Sequence, residues 1–193
     1  MDTFFAELRV LQQKWFPQTQ PLPGIPKLLK DLTDSKIHIA LATSSNTPNY
    51  HLKTDHLTEL FAVFPEEHRI RGDDVRIKPG RGKPAPDIWL LALKTINERL
   101  VREGVREILP EECLVFEDSV PGVESGRRAG MQVVWCPHPE LLVEYRGREK
   151  EVLAGQTGEH KGEEACPGKI DDGWGRLLPT LEGFPYAEYG IPM

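Results

Sequence analysis

The apolar residues Cys113-Leu114-Val115-Phe116 run directly into Glu117-Asp118-Ser119. Two adjacent carboxylates are costly to bring together at the end of an apolar strand unless a cation neutralises them. Magnesium suits such a pair, because it is a hard ion that takes oxygen ligands and keeps several waters. The alternative is that Asp118 or Ser119 caps the helix that follows, with Gly122 in its next turn. A second constellation is Gly82-Lys83-Pro84-Ala85-Pro86-Asp87. Its prolines stiffen the backbone and would fix the Lys83 ammonium as a point charge beside a phosphate or a carboxylate. Lys78 and Arg81 compete for that role from less rigid surroundings. The third is Thr43-Ser44-Ser45, where a hydroxyl and successive backbone N–H groups could hold phosphate oxygens at a helix entrance, or simply cap that helix.

The elements that would carry these residues alternate in type. Phe4, Phe5, Leu8, Leu11 and Trp15 have helical spacing, and Pro26, Leu28, Leu29 and Leu32 outline a second helix. The period then changes to a nearly continuous apolar run, Ile37 to Ala42, which predicts a strand buried on both faces. Helices are expected from Pro48 to Leu60, Pro86 to Arg102 and Pro121 to Ala129, and strands at Ala62-Val63-Phe64, Cys113 to Phe116 and Met131 to Trp135. Strands alternating with helices predict an α/β fold with a parallel sheet, and all three constellations then fall just after strands, where ligands gather in such sheets. From Tyr145 to Gly175 the chain turns Gly-rich and charged and reads as an irregular excursion, after which Leu177-Leu178 and the aromatic tail Phe184-Pro185-Tyr186 would dock back on the core.

Composition excludes several function classes. The chain has 193 residues, 39% of them hydrophobic and 28% charged, which fits one globular domain with at most a small accessory segment. No apolar run approaches the roughly 20 residues of a membrane span, and the start MDTFFAELRV has no signal-peptide pattern, so a cytoplasmic or nuclear location is expected. A net charge of −6 with scattered basic residues argues against nucleic-acid binding. No GxGxxG follows a strand, which argues against a dinucleotide-binding oxidoreductase. Cys113 and Cys136 sit in apolar runs as small hydrophobes, Cys166 lies in a polar loop as a free thiol, and no CxxC spacing points to zinc.

Taken in order, ALATSSN, GKPAPDIWLLAL and CLVFEDSVPGVESGRRAGM resemble the second, third and fourth motifs of the haloacid-dehalogenase-like hydrolase superfamily. The resemblance covers about Pro21 to Trp135, and FEDSVPGVESGRRAGMQVVW with the tail EGFPYAEYG is most similar to the branch holding β-phosphoglucomutase and pseudouridine-5′-phosphatase. It implies a Rossmannoid three-layer α/β/α core and a Mg²⁺-dependent phosphatase acting on a small phosphorylated metabolite, such as a sugar, nucleoside or glycerol phosphate. By resemblance, the Thr43 hydroxyl and the Ser44 backbone N–H contact the phosphoryl group. Lys83 bridges the phosphate and a nucleophilic aspartate, and Glu117 and Asp118 hold the metal.

Members of that superfamily begin with an apolar strand ending in DxDx(T/V), whose first aspartate attacks phosphorus and whose second is the acid and base. No such motif occurs in these 193 residues: Asp2, Asp31 and Asp34 lack a preceding strand, and Asp171-Asp172 has the wrong spacing. The stretch TFFAELRVLQQKWFPQTQPLPG is similar to the last helix of the helical cap and the return to the core. The expected organisation is therefore a cap remnant over residues 1–20 and a core over 21–193 that lacks its first, central strand, with the excursion at about 145–175. Such a sheet would leave a gap open to another segment or to self-association. A chain of this kind is expected to be inactive alone and to bind Mg²⁺ weakly or not at all. The alternative is a non-catalytic module derived from the fold that binds phosphate or a partner.

Overall fold

Apolar side chains at three- and four-residue spacing make the first two elements helices, α1 (Asp2–Trp15) and α2 (Ile25–Asp34), the second with Pro26 in its first turn and Leu28 and Leu32 buried. The computed structural model describes residues 2–158 and 168–192. They divide into two compact units, Met1–Asp74 with Glu182–Met193, and Val75–Leu181. Cys166 lies outside the described residues.

In the first unit the chain continues through β1 (Leu41–Ala42), α3 (Thr47–Thr54), α4 (Thr58–Phe61) and β2 (Arg69–Ile70). Strand β1 pairs in parallel with β2, Leu41 opposite Arg69 and Ala42 opposite Ile70. The strand expected over Ile37 to Ala42 is thus only its last two residues, because a two-residue β2 offers a ladder no longer than that, extended by one bond from Thr43 N to the Ile70 carbonyl (2.9 Å). The strand expected at Ala62-Val63-Phe64 is instead a turn. Ala62 N closes onto the Thr58 carbonyl (2.9 Å), and Arg69 donates from Nε and Nη2 to the carbonyls of Phe64 and Phe61 (2.9 Å each). A side chain satisfies these backbone acceptors, so no ladder is required there.

The tail docks as its aromatic character implied. Phe184 is buried, stacked on Tyr189 (5.0 Å) and edge-on to Tyr186 (5.1 Å). Tyr186 Oη donates to Asp31 Oδ2 at 2.5 Å. Lys27 first and Tyr186 second hold the Asp31 carboxyl below the usual range, while burial and the Asp31 charge push the Tyr186 phenol up to about 12. Asp31 and Asp34 therefore act as helix-surface partners of Lys27 and Lys30 on α2.

The second unit comprises α5 (Asp87–Arg102), β3 (Leu114–Glu117), α6 (Val120–Arg128), β4 (Gln132–Trp135), α7 (Pro139–Glu144), α8 (Glu149–Ala154) and β5 (Gly175–Leu177). Its sheet runs β3-β4-β5, all parallel, with Val115 opposite Val133 and Glu117 opposite Trp135. Val115, Val123, Val133, Trp135 and Val152 are almost fully buried together, each worth about 1.5–3 kcal/mol relative to exposure. Asn97 ties α5 to the approach to β3 by bonding both the N–H and the carbonyl of Ile108 (2.9 Å each).

Over its described residues, 145–158 and 168–175, the Gly-rich stretch departs from the irregular excursion expected of it, the remainder lying outside the described residues. It holds α8, with Val152 and Ala154 buried, and ends in β5. Asp172 accepts the N–H groups of Lys169 (2.8 Å) and Trp174 (2.9 Å) and pairs with Arg127 of α6, and Asp171 pairs with Lys150 of α8 (2.6 Å), so local hydrogen bonds and ion pairs shape a turn that apolar periodicity does not reveal. Among the described residues no helix is long and apolar enough to cross a membrane.

Glu112 anchors the turn that feeds β3. It accepts Arg106 Nη1 (2.8 Å) and Nη2 (2.5 Å) and the Leu109 N–H (2.9 Å), and the guanidinium first, then the amide, lower its carboxyl to about 2. A carboxyl depressed on folding contributes stability that is present above its unfolded pKa and lost as pH falls through the folded one. The difference in urea midpoint between the parent chain and Glu112→Gln should therefore close as pH falls from about 4.5 to about 2. A gap constant over that window would show that Glu112 acts by packing alone.

Candidate active site

Strand β3 is buried on alternate residues and delivers Glu117 to its carboxyl end, where Ser119 turns the chain into α6. The Glu117 carboxylate is held on both oxygens. Lys83 Nζ donates to Oε1, with the two side chains 8% and 5% exposed, and Ser119 Oγ donates to Oε2 at 3.1 Å. Ser119 Oγ also accepts the Gly122 N–H (3.2 Å), so one hydroxyl caps α6 and fixes the carboxylate. The helix start approaches Glu117 so closely that a methyl group on Gly122 would lie 2.0 Å from Oε2 and 2.4 Å from Oε1, which only glycine permits.

Lys83 is held from two further directions. Its Nζ lies 4.5 Å from the centre of the Trp89 ring, a cation–π contact from the first turn of α5. Its loop is pinned where the buried Ser125 hydroxyl on α6 donates to the Ala85 carbonyl at 2.6 Å. The rival cations stand elsewhere. Arg81 forms a bidentate pair with Asp87 (2.6–3.0 Å), and Lys78 is exposed.

Asp118 is exposed, and its backbone carbonyl accepts Trp135 Nε1 at 3.2 Å. Burial first, and the Asp118 charge second, raise the neighbouring Cys136 thiol. Burial likewise raises Cys113, to about 11, helped by Glu112 and Glu111, so both behave as inert small hydrophobes.

Magnesium takes six oxygens in a near-octahedral shell. Here both Glu117 oxygens are engaged, Asp118 is the adjacent carboxylate, and no three His, Cys, Asp or Glu side chains converge on one point among the described residues. The arrangement as it stands does not fit a complete magnesium site, because an ammonium occupies the carboxylate that would bind the ion.

Thr43 and Ser44 belong to the first unit, just after β1. Thr43 Oγ1 accepts the Ser45 N–H (3.1 Å), which leaves its own proton to donate. Ser45 Oγ accepts Lys53 Nζ (3.0 Å), its carbonyl accepts the Gly72 N–H (2.9 Å), and Asn46 caps α3 through the Asn49 N–H. A side chain at Gly72 would meet the Ser44 carbonyl at 2.3 Å, so the two loops lie backbone against backbone. Asp73 adds a brace, accepting the N–H and hydroxyl of Thr47, and the Thr47 amide above all lowers its carboxyl.

Sequence reasoning singled out Thr43, Ser44, Lys83, Glu117 and Asp118 but missed the supports Trp89, Ser125, Lys53 and Gly72. Pro86 at the cap of α5 is the only local hint of Trp89, and nothing local marks the others. Removing one member of a buried ion pair leaves the other charge uncompensated. Lys83→Met should therefore lower unfolding stability by about 3 kcal/mol, and Lys83→Met/Glu117→Gln should recover most of that loss in urea denaturation. Gly122→Ala should cost more stability in the parent chain than in a chain already carrying Glu117→Ala, since the clash is with that carboxylate; equal costs in the two backgrounds would refute the packing assignment.

The haloacid dehalogenase-like hydrolase family model matches residues 3–130. An uncharacterized protein of Schizosaccharomyces pombe is 46% identical over 186 residues, which make up 96% of this chain and 67% of that protein. The probable pseudouridine-5′-phosphatase of Saccharomyces cerevisiae is 42% identical over 191 residues, 99% of this chain and 70% of that one. Among solved structures, a HAD hydrolase of family IA, variant 3, from Entamoeba histolytica superposes with a TM-score of 0.66 over 97% of this chain and 68% of its own at 22% identity, a likeness of fold. The matched span carries the Thr43 loop, the Lys83 loop and the Lys83–Glu117 pair, and the chain belongs to the haloacid dehalogenase-like hydrolase family.

Proposed function

We propose that this chain is the phosphate-binding part of a phosphatase acting on a small phosphate monoester, and that it does not by itself hydrolyse one. The observation that carries the reading is the Lys83 ammonium, buried and aimed at the carboxyl end of β3 by Glu117, Trp89 and a pinned proline loop. A fixed cation at the end of a parallel strand suits a phosphoryl group and the carboxylate that attacks it. The name of the Saccharomyces cerevisiae relative favours a nucleoside-type monoester.

The nucleophile is what the chain does not supply, since no DxD occurs in its 193 residues. Among the described residues β1 has β2 as its single ladder partner and β3 has β4, which supports the reading that a strand bearing the aspartates stands between β1 and β3 in the relatives. Without those aspartates Mg²⁺ lacks oxygen ligands, and calorimetry should show binding in the millimolar range or weaker. The missing motif also favours a second reading, a non-catalytic module that binds phosphate or a protein partner.

With p-nitrophenyl phosphate and Mg²⁺, the purified chain should show no turnover above background. Inorganic phosphate should nonetheless shift the amide resonance of Lys83, and Lys83→Met should abolish the phosphate response. Metal-dependent turnover that disappears in Asp118→Ala would overturn the claim of inactivity, and the lack of any phosphate response would overturn the phosphate site.

A further inference from the structure

Packing does not hold the amino-terminal half of the loop that carries Lys83. Gly80 and Gly82 flank Arg81, and a methyl group on either would meet no atom within 4 Å. Gly80, with φ at 79°, turns the chain after Pro79, and the Arg81 N–H closes that turn on the Lys78 carbonyl (3.0 Å). Two glycines around one residue leave the backbone unusually free. Lys83 nevertheless stands one residue beyond Gly82, with its ammonium on Glu117 where both side chains are nearly buried. Ser125 holds the carboxyl-terminal half of the loop at Ala85, and the glycine half needs a restraint of its own.

The Arg81 side chain supplies one. Its guanidinium crosses to Asp87, the first residue of α5, with Nε 3.0 Å from both carboxylate oxygens and Nη2 2.6 Å from Oδ2. The two side chains are 25% and 27% exposed, and a single-point ion pair that open contributes little. A forked guanidinium differs, because its planar N–H groups fix direction as well as distance. Asp87 is a firm anchor, since it sits in the first turn of a 16-residue helix where a negative charge suits the dipole. The fork therefore ties Arg81, two residues before Lys83, to Asp87, four residues after it.

We propose that Arg81 and Asp87 are a positioning pair, whose fork closes the loop across Lys83 and sets the direction of its ammonium without either residue touching the phosphoryl group. The functional part of this proposal rests on the reading of Lys83 as the phosphate-facing cation; the positioning itself does not.

Trace acetylation of the full chain with acetic anhydride, read lysine by lysine by mass spectrometry, tests the positioning without phosphate. The rate at Lys83 is taken relative to the exposed Lys94 of α5 and measured well below the urea transition. Arg81→Gln and Asp87→Asn should each raise that ratio about fivefold. The double variant should raise it no further, because both substitutions remove one interaction, and Asp87→Glu should stay near the parent. Rates unchanged in both single variants, effects that multiply in the double variant, or an Asp87→Glu chain as reactive as Asp87→Asn would each overturn the proposal. Phosphate titration forms the second arm, in which Arg81→Gln should weaken the response of the Lys83 amide about fivefold. A parent chain that shows the acetylation pattern but no phosphate response would strike the phosphate reading and keep the positioning pair. Phosphate binding with Lys83 rates indifferent to the variants would do the reverse.

Discussion

Glu117 can be buried at the end of β3 only because a cation meets it there. An ionised carboxylate in that position carries a desolvation cost of several kcal/mol unless it is paired and hydrogen-bonded, and the structure supplies both conditions through Lys83 and Ser119. Much of the second unit follows from that requirement. The loop must deliver Lys83, so Ser125 pins it and Trp89 backs it. The start of α6 must leave room for the carboxylate, so position 122 is glycine.

The same constraint bears on function. In a phosphoryl-transfer site the lysine, the metal-binding carboxylate and the phosphate share one small volume, and each balances the charge of the others. In this chain Lys83 is paired with Glu117, both side chains nearly buried. Any anion drawn to Lys83, or cation drawn to Glu117, must compete with that pair.

The second unit was largely legible because β3 and β4 are apolar runs with buried residues at their centres and its helices are amphipathic. Val115, Val133 and Trp135 read as continuous apolar runs for that reason. The first unit was read less well. Its strands β1 and β2 are two residues each, too short to impose a period, and the apolar Ala62 to Phe64 is satisfied by the Arg69 side chain rather than by a ladder. In the Gly-rich stretch, α8 and β5 depend on a few burials such as Val152 and on the Arg127–Asp172 pair, contacts distant in sequence.

The sequence by itself determined the chemistry that is local. Apolar runs place Glu117 and Thr43 just beyond strands, prolines stiffen the Lys83 loop, and the residue types fix which groups can donate, accept or carry charge. That no DxD occurs in these 193 residues is likewise read from the sequence alone. Only the tertiary structure decided that Lys83 takes Glu117 as its partner rather than standing open, and that Ser125 and Trp89 support it. These outcomes depend on which side chains meet across gaps such as the 34 residues between Lys83 and Glu117. Periodicity reports a residue's own environment and carries no record of its distant neighbours.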